Sequence, residues 1–318
     1  MGNGKKIQIL LSTYNGEKYL REQLDSFLAQ KNFEQCSVLI RDDGSTDGTR
    51  EILREYERLE QFTVFYGENC GVTGSYWWLL EHSDSECEYF AFSDQDDVWL
   101  PDKLKNAVET IGKSEISAEF PTLFASLSQI VDKNLNPLGS TLRPGKEIGY
   151  YNSMVQNVLP GHTQVLNRKM RDVLLLHGVG RIHAIDWWCY LTASTVGKIC
   201  FLEKYTVLHR QHGDNCVGYS SSFLQKTKQK FRNLASKKAN AISVQLADFY
   251  KRYKSDMSEE YRAETQRYFD AMTSVTKRIE YALTCRVYRQ SSMDSLMFRI
   301  LYVLGKYNYC LNCSGNKQ

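Results

Sequence analysis

The sequence predicts an α/β protein: a mostly parallel, Rossmann-like sheet flanked by helices, followed by a helical extension. Short apolar runs alternate with stretches of helical periodicity over roughly the first hundred residues, the signature of strand–helix–strand units. The runs end in polar loops rich in Asp, Asn, Gly and Ser, which is where ligands of such sheets sit. From Phe223 onward the pattern is almost wholly helical.

IQILLS, Ile7–Ser12, is the first apolar run and reads as a strand. Leu20, Leu24, Phe27 and Leu28 then recur at helical spacing up to Gln30. SVLIRDD, Ser37–Asp43, is the second strand. After GSTDGT, the residues Ile52, Leu53, Tyr56 and Leu59 mark a second amphipathic helix. FTVFY, Phe62–Tyr66, and YFAFS, Tyr89–Ser93, are two more strands, separated by a helix around Tyr76–His82. Another helix starts near Pro101. The ends of the first, second and fourth strands carry STYNG, RDDGSTDG and SDQDDVW, so three motifs far apart in sequence converge on one crevice. Thr122–Val217 mixes both kinds of signal.

With 318 residues, 42% hydrophobic and 24% charged, the chain has the composition of a folded protein with a sizeable core. The N-terminal MGNGKKIQILLSTYNG has too short an apolar run for a signal peptide. Lys6 stands where a myristoylation motif needs Ser or Thr. The 9 cysteines lack a small-scaffold framework, which fits reduced thiols in the cytosol. Cys310 and Cys313 form a lone CxxC without the other two ligands of a structural zinc site. Charge is unevenly spread. Phe223–Gln318 holds 18 Lys and Arg against 8 Asp and Glu, a net +10 in a chain of +3, so the remainder carries −7. An acidic front suits a bound cation, and a basic back suits an anionic surface.

Asp94, Asp96 and Asp97 lie within four residues at the end of a strand. In extended backbone, residues two apart face the same way, so Asp94 and Asp96 are expected on one side. Two such carboxylates make an oxygen site suited to Mg²⁺ or Mn²⁺ with positions left for substrate phosphates. A solvated acidic loop capping the next helix fits the same residues. In Arg41-Asp42-Asp43-Gly44-Ser45, a carboxylate can accept from a base N–H or a ribose hydroxyl, and Gly44 permits a tight turn. An ordinary strand–turn–helix link with capping Asp and Ser fits equally.

The order Ser12-Thr13-Tyr14-Asn15-Gly16, then Asp42-Asp43-Gly44-Ser45-Thr46-Asp47, then Asp94-Gln95-Asp96-Asp97 resembles glycosyltransferase family 2 of the GT-A fold. Ser93-Asp94-Gln95-Asp96-Asp97-Val98-Trp99 most resembles its bacterial rhamnosyltransferase-like branch. The resemblance is strong over 6–112 and moderate through 157–217. It implies a GT-A catalytic domain over 1–221, with the basic helical extension over 222–318. It implies that Thr13, Tyr14 and Glu17 line the nucleotide pocket, that Asp43 contacts the base or ribose, and that Asp94 sits near the ribose and metal. Asp96 would ligate Mn²⁺ or Mg²⁺, and Asn69 would belong to a loop close to the donor. Gly161-His162-Thr163 resembles a loop on the acceptor side. His183-Ala184-Ile185-Asp186-Trp187-Trp188 resembles the segment carrying the general base, with Asp186 as that base and Trp187 and Trp188 beside a sugar face; a helix cap and core packing are the plainer roles for these residues. In His209-Arg210-Gln211-His212, Arg210 would bind phosphate oxygens and His212 would complete the metal site, since His209 reads as part of the strand VLHR.

The implied activity is a single displacement. A sugar, with L-rhamnose the first choice, moves with inversion from a nucleotide diphosphate donor to a hydroxyl of a cell-surface polysaccharide or lipid-linked saccharide. A pyrophosphorylase should open with a Gly-rich phosphate loop, and STYNGEKYL supplies none. A dehydrogenase would need a GxGxxG after the first strand. A non-catalytic nucleotide-sugar-binding module would have lost groups that are present here, namely Asp43, Asp96, Asp186 and His212. The expected location is cytoplasmic, with no nucleic-acid partner. The extension is expected either to dock on an anionic membrane at its inner face or to pack on protein, as in a homodimer.

Overall fold

The structure, a computed structural model, describes residues 6–113, 119–211 and 238–309. These fall into two compact units. The first draws on Met1–Arg143, Leu159–Leu176 and Gly197–Gly218, and the second on Pro144–Val158, His177–Val196 and Tyr219–Gln318.

The first unit is one mixed sheet with helices against it. Its strands are β1 (Ile7–Thr13), β2 (Cys36–Asp42), β3 (Phe62–Tyr66), β4 (Tyr89–Ser93), β5 (Val98–Trp99), β6 (Thr122–Val131), β7 (Pro137–Ser140), β8 (Val165–Asn167) and β9 (Lys198–Arg210). They lie in the order β3-β2-β1-β4-β8-β6-β9-β5, with β7 on β6. The half expected from the sequence, β3-β2-β1-β4, is parallel throughout. The other half is mixed: β8 runs antiparallel to both β4 and β6, while β9 is parallel to β6.

Apolar spacing sets each helix against this sheet. In α1 (Leu20–Leu28), Leu20, Leu24 and Phe27 are buried while Leu28 stays exposed. Phe27 lies 4.7 Å from the Trp99 ring. In α2 (Thr49–Tyr56), Leu53 and Tyr56 face the core. The helices α3 (Gly71–Glu81), α4 (Lys103–Lys113) and α6 (Arg168–His177) complete the flanks. Registers Thr13↔Asp42 and Leu11↔Ser93 bring the carboxyl ends of β1, β2 and β4 to one edge, as parallel pairing requires.

The second unit is helical: α5 (Tyr150–Ser153), α7 (Ile185–Val196), α8 (Lys238–Tyr253), α9 (Glu259–Asp270), α10 (Val275–Thr284) and α11 (Ser292–Val303). Ser258, Ser274 and Ser291 cap α9, α10 and α11, each side chain accepting a backbone N–H of the first turn. Such caps contribute about 1 kcal/mol each. The core is aromatic, with Trp188 meeting Phe249 edge-on at 5.2 Å and Tyr281 tilted against Tyr302 at 5.0 Å. Residues 144–158 and 177–196, within the expected 1–221 stretch, belong to this unit. The reason is visible in α7, where Ile185 and every residue from Trp187 to Ala193 are buried. A helix that is apolar nearly all round needs partners on every side.

At the end of β2, Asp43 is almost fully buried and accepts bonds from the Arg41 guanidinium, from Cys70 N at 2.9 Å and from Gly71 N at 2.9 Å. Burial pushes the Asp43 carboxyl up, but these bonds outweigh it and hold its pKa below the usual carboxylate range. A group depressed in the folded state stabilises at neutral pH and loses that contribution as pH falls through its folded pKa. Asp43→Asn leaves Arg41 buried without its anion and should cost about 3 kcal/mol in urea unfolding at neutral pH. The gap between wild type and variant should narrow below about pH 4; a gap independent of pH would sink this account.

Candidate functional site

Three loops meet at the carboxyl edge of the parallel strands and bind one another. Gln95 holds the Tyr14 backbone from both sides, accepting from its N–H at 2.8 Å and donating to its carbonyl at 3.0 Å. Asn15, in the left-handed region at φ 48°, donates its N–H to Ser45 Oγ and accepts from Thr46 N. Glu17 accepts from Gly48 N. Gly44 sits at φ 85°, where an added Cβ would also lie 3.1 Å from Asn69 N, so glycine is required.

Beside these loops stands a polar cluster. Val98 pairs with Leu208 in antiparallel register, which puts Asp97 opposite His209 at the end of β9. Asp97 is fully buried; its Oδ1 accepts from His209 Nδ1 at 2.9 Å and from Arg210 N at 3.1 Å. Its Oδ2 has no hydrogen-bond partner and lies 3.8 Å from His162 Nδ1. His162 bonds Ser128 Oγ through Nε2 at 2.9 Å, which leaves Nδ1 turned to the carboxylates, with Asp94 at 3.6 Å. The two imidazoles stack 4.3 Å apart and within 7° of parallel. Ligand atoms of Asp97, His162 and His209 all lie within 4.8 Å of one another.

The electrostatics follow from this packing. Burial alone would lower the His209 pKa, but Asp97, helped by Asp94 and Asp96, pushes it up to about 9. Burial raises the Asp94 carboxyl, yet the bonds from His162 and Tyr76 and the nearby His209 hold it below its usual value. Lys103 is fully buried, its Nζ 3.6 Å from the centre of the Trp99 ring and without a hydrogen bond. Burial drives its pKa down to about 7 against the pull of Asp97 and Asp94.

An orphaned, buried carboxylate oxygen facing His162, with His209 on the other oxygen of the same carboxylate, is a fitting cradle for a divalent cation. Two ring nitrogens and a carboxylate suit Mn²⁺ better than Mg²⁺, which prefers an all-oxygen shell.

The residues expected at the site occupy different settings. Tyr14, Glu17 and Asn69 are exposed on the loops, and Asp94 is partly exposed beside them. Thr13 is buried and donates to Asp42 at 3.2 Å, and Asp43 is engaged at both oxygens as described, so neither presents a free polar edge. Asp96 does not join the cluster; its carbonyl accepts from Arg210 Nε at 3.0 Å. The alternation that put Asp94 and Asp96 on one side fails because residues 95 and 96 form a bend rather than continuing the strand. Arg210, expected on phosphate, is buried and bonds the Lys133 carbonyl and the Glu22 carboxylate as well as Asp96. His162, in the Gly161–Thr163 turn, is buried and turns Nδ1 to the carboxylates of Asp94 and Asp97. Trp187 and Trp188, expected against a sugar, are core residues: the Trp187 indole donates to the Ser153 carbonyl, and Trp188 is fully buried. Asp186 opens α7 in the second unit and accepts from Trp187 N at 2.7 Å. His212, Cys310 and Cys313 lie outside the described residues. His209 belongs to the strand VLHR as expected, at its carboxyl end, which is where such sheets bind ligands.

Residues 8–171 match the family described as "Glycosyl transferase family 2". The chain belongs to that family. The glycosyltransferase is 29% identical over 259 residues to the dTDP-rhamnosyl transferase RfbG of Shigella flexneri, covering 73% of this chain and 84% of the relative. S. aureus TarS 1–349 superposes with a TM-score of 0.57 at 16% identity, covering 95% of this chain and 89% of that one. The mannosyltransferase PcManGT from Pyrobaculum calidifontis, solved with GDP-Man and Mn²⁺, superposes with a TM-score of 0.54 at 14% identity, over 95% and 86% of the two chains. These likenesses establish the GT-A type fold of the glycosyltransferase.

Replacing Asp97 with Asn or His209 with Ala should weaken Mn²⁺ binding by at least about 10-fold in a titration followed by electron paramagnetic resonance. Asp96→Asn should change it less. The reverse order would return the metal to Asp96.

Proposed function

We propose that this glycosyltransferase moves L-rhamnose from dTDP-rhamnose to a hydroxyl of a cell-surface polysaccharide or lipid-linked saccharide, inverting the anomeric carbon. The observation that carries the reading is the Asp97–His162–His209 cluster beside the loops that bear Tyr14, Glu17, Asn69 and Asp94. Similarity to a relative named as a dTDP-rhamnosyl transferase supports the donor.

Exposed on those loops, the Tyr14 ring, the Glu17 carboxylate and the Asn69 amide present stacking and hydrogen-bonding groups to a nucleoside. Asp94, bonded by Tyr76 Oη and 3.6 Å from His162 Nδ1, would accept from a ribose hydroxyl. A divalent cation held by Asp97, His162 and His209, with Mn²⁺ the better fit of the two candidates, would supply positive charge where the diphosphate departs. Asp186 is assigned as general base by its motif. It takes the proton of the acceptor hydroxyl as that oxygen bonds to the anomeric carbon and the bond to the diphosphate breaks. One displacement gives one inversion. A nucleotide-sugar donor places the reaction in the cytoplasm.

Two measurements test this reading. With Mn²⁺ present, dTDP-rhamnose should raise the melting temperature and support transfer, and the product linkage should show the opposite anomeric configuration to the donor by NMR. Transfer with UDP-hexoses alone would overturn the donor assignment. Asp186→Asn should keep donor affinity and lower kcat by about a hundredfold. Collapse of donor binding with turnover per bound donor unchanged would make Asp186 a binding residue.

A further inference from the structure

We propose that α10 and α11 form a surface that seats on an anionic lipid bilayer. This deepens the reading above, since it gives the glycosyltransferase access to an acceptor carried on a lipid, and it rests on that reading only for the acceptor.

Each helix has two apolar faces where folding needs one. Inward, Tyr281 and Ala282 of α10 and Phe298, Leu301 and Tyr302 of α11 are buried. The helices pack together through the Tyr281 and Tyr302 rings and through Arg278 Nε, which donates to the Val303 carbonyl at 3.0 Å. Outward, Val275, Ile279 and Leu283 recur every fourth residue along α10. Met293, Leu296 and Ile300 continue to Leu304 at the end of α11 with spacings of three and four. All seven are between 44% and 74% exposed. A run of large apolar side chains at helical period on solvent-facing surface marks an association site rather than the scattered exposure of ordinary proteins.

Charge chooses the partner. Along 275–307, Lys277 and Lys306 are exposed and Arg299 partly so, against Glu280 and Asp294, while Arg286 pairs with Glu260 and Arg278 and Arg289 bond within the fold. A two-fold dimer through this face would set one basic rim against its copy, and like charges opposed across an interface are unfavourable. An anionic leaflet offers the opposite sign to the rim and apolar depth to the stripe. Among the described residues no helix is long and apolar enough to cross a membrane, so these two would lie in the interface.

The test uses the full chain without donor. Vesicles of phosphatidylcholine alone and of phosphatidylcholine with phosphatidylglycerol are sedimented with the protein at low and high salt. The protein should follow the phosphatidylglycerol vesicles at low salt and be released at high salt. The Leu296→Glu/Ile300→Glu double variant should bind them about 10-fold less. Lys277→Glu/Lys306→Glu, which alters exposed positions only, should show the same loss and stands in if the first variant fails to fold by circular dichroism. No binding to anionic vesicles at low salt, undiminished binding by a folded variant, or a solution dimer that the Leu296→Glu/Ile300→Glu substitutions dissolve would overturn the proposal. Transfer to a water-soluble acceptor should be unchanged in both variants. Failure of the wild type to transfer rhamnose, with vesicle binding intact, would count against the donor assignment and leave this surface standing.

Discussion

A carboxylate removed from water must be met by donors or cations, and Asp97 is such a carboxylate. Its demand organises the edge of the first unit. One oxygen fastens the end of β9 through His209 Nδ1 and Arg210 N, and the other is left facing His162. Because Asp97 holds the backbone of Arg210, the Arg210 side chain is carried inward, where it bonds the carbonyls of Asp96 and Lys133 and the Glu22 carboxylate. The loop after β4, the end of β9 and α1 are therefore linked by a network around one anion. Removing either member of a buried pair of this kind leaves a charge with no compensation, which costs more than the pair itself contributes.

The parallel half of the sheet was legible in the sequence for a simple reason. Strands covered on both faces read as unbroken apolar runs, and the intervening helices carry one apolar stripe each. YFAFS therefore marks β4 residue for residue, whereas FTVFY marks β3 by the alternation of an edge strand, with Thr63 and Phe65 exposed. The mixed half lacked that signature, because β7 and much of β9 face water on one or both sides. Within the site, the loops were readable but the ligand geometry was not. Side-chain alternation holds only while the backbone is extended, and the bend at 95 and 96 transfers the inward position to Asp97. The tryptophans show the converse error. Their motif drew attention to sugar stacking, while their place in a helix apolar on nearly every side already pointed to a core.

Charge balance explains why an unpaired lysine is tolerated so near. Asp94 and Asp97 raise the proton affinity of Lys103 even as burial lowers it, and the Trp99 ring beneath Nζ offers the one face that stabilises a cation without a hydrogen bond. The buried Asp97 carboxylate thus has its donors fixed by packing, His209 Nδ1 and Arg210 N on one oxygen, with Lys103 close by. Groups fixed by packing in this way need little reorganisation when charge develops on a departing diphosphate, which is the condition under which electrostatic stabilisation is strongest.

The second unit obeys a different economy. Two tyrosines of its interior have their hydroxyls satisfied within it: Tyr268 Oη pairs with Ser243 Oγ at 2.8 Å, Ser243 Oγ also reaches the Tyr307 carbonyl, and Tyr302 Oη donates to the Tyr268 carbonyl. Phe298, Leu301 and Tyr302 close that interior, and Leu296, Ile300 and Leu304 lie on the exposed side of the helix. Polar residues at those positions would give the same helix, the same cap at Ser291 and the same inner face. Exposed apolar side chains that do not serve folding stay available for association, and beside a basic rim the surface they fit is one that is apolar within and anionic at its face.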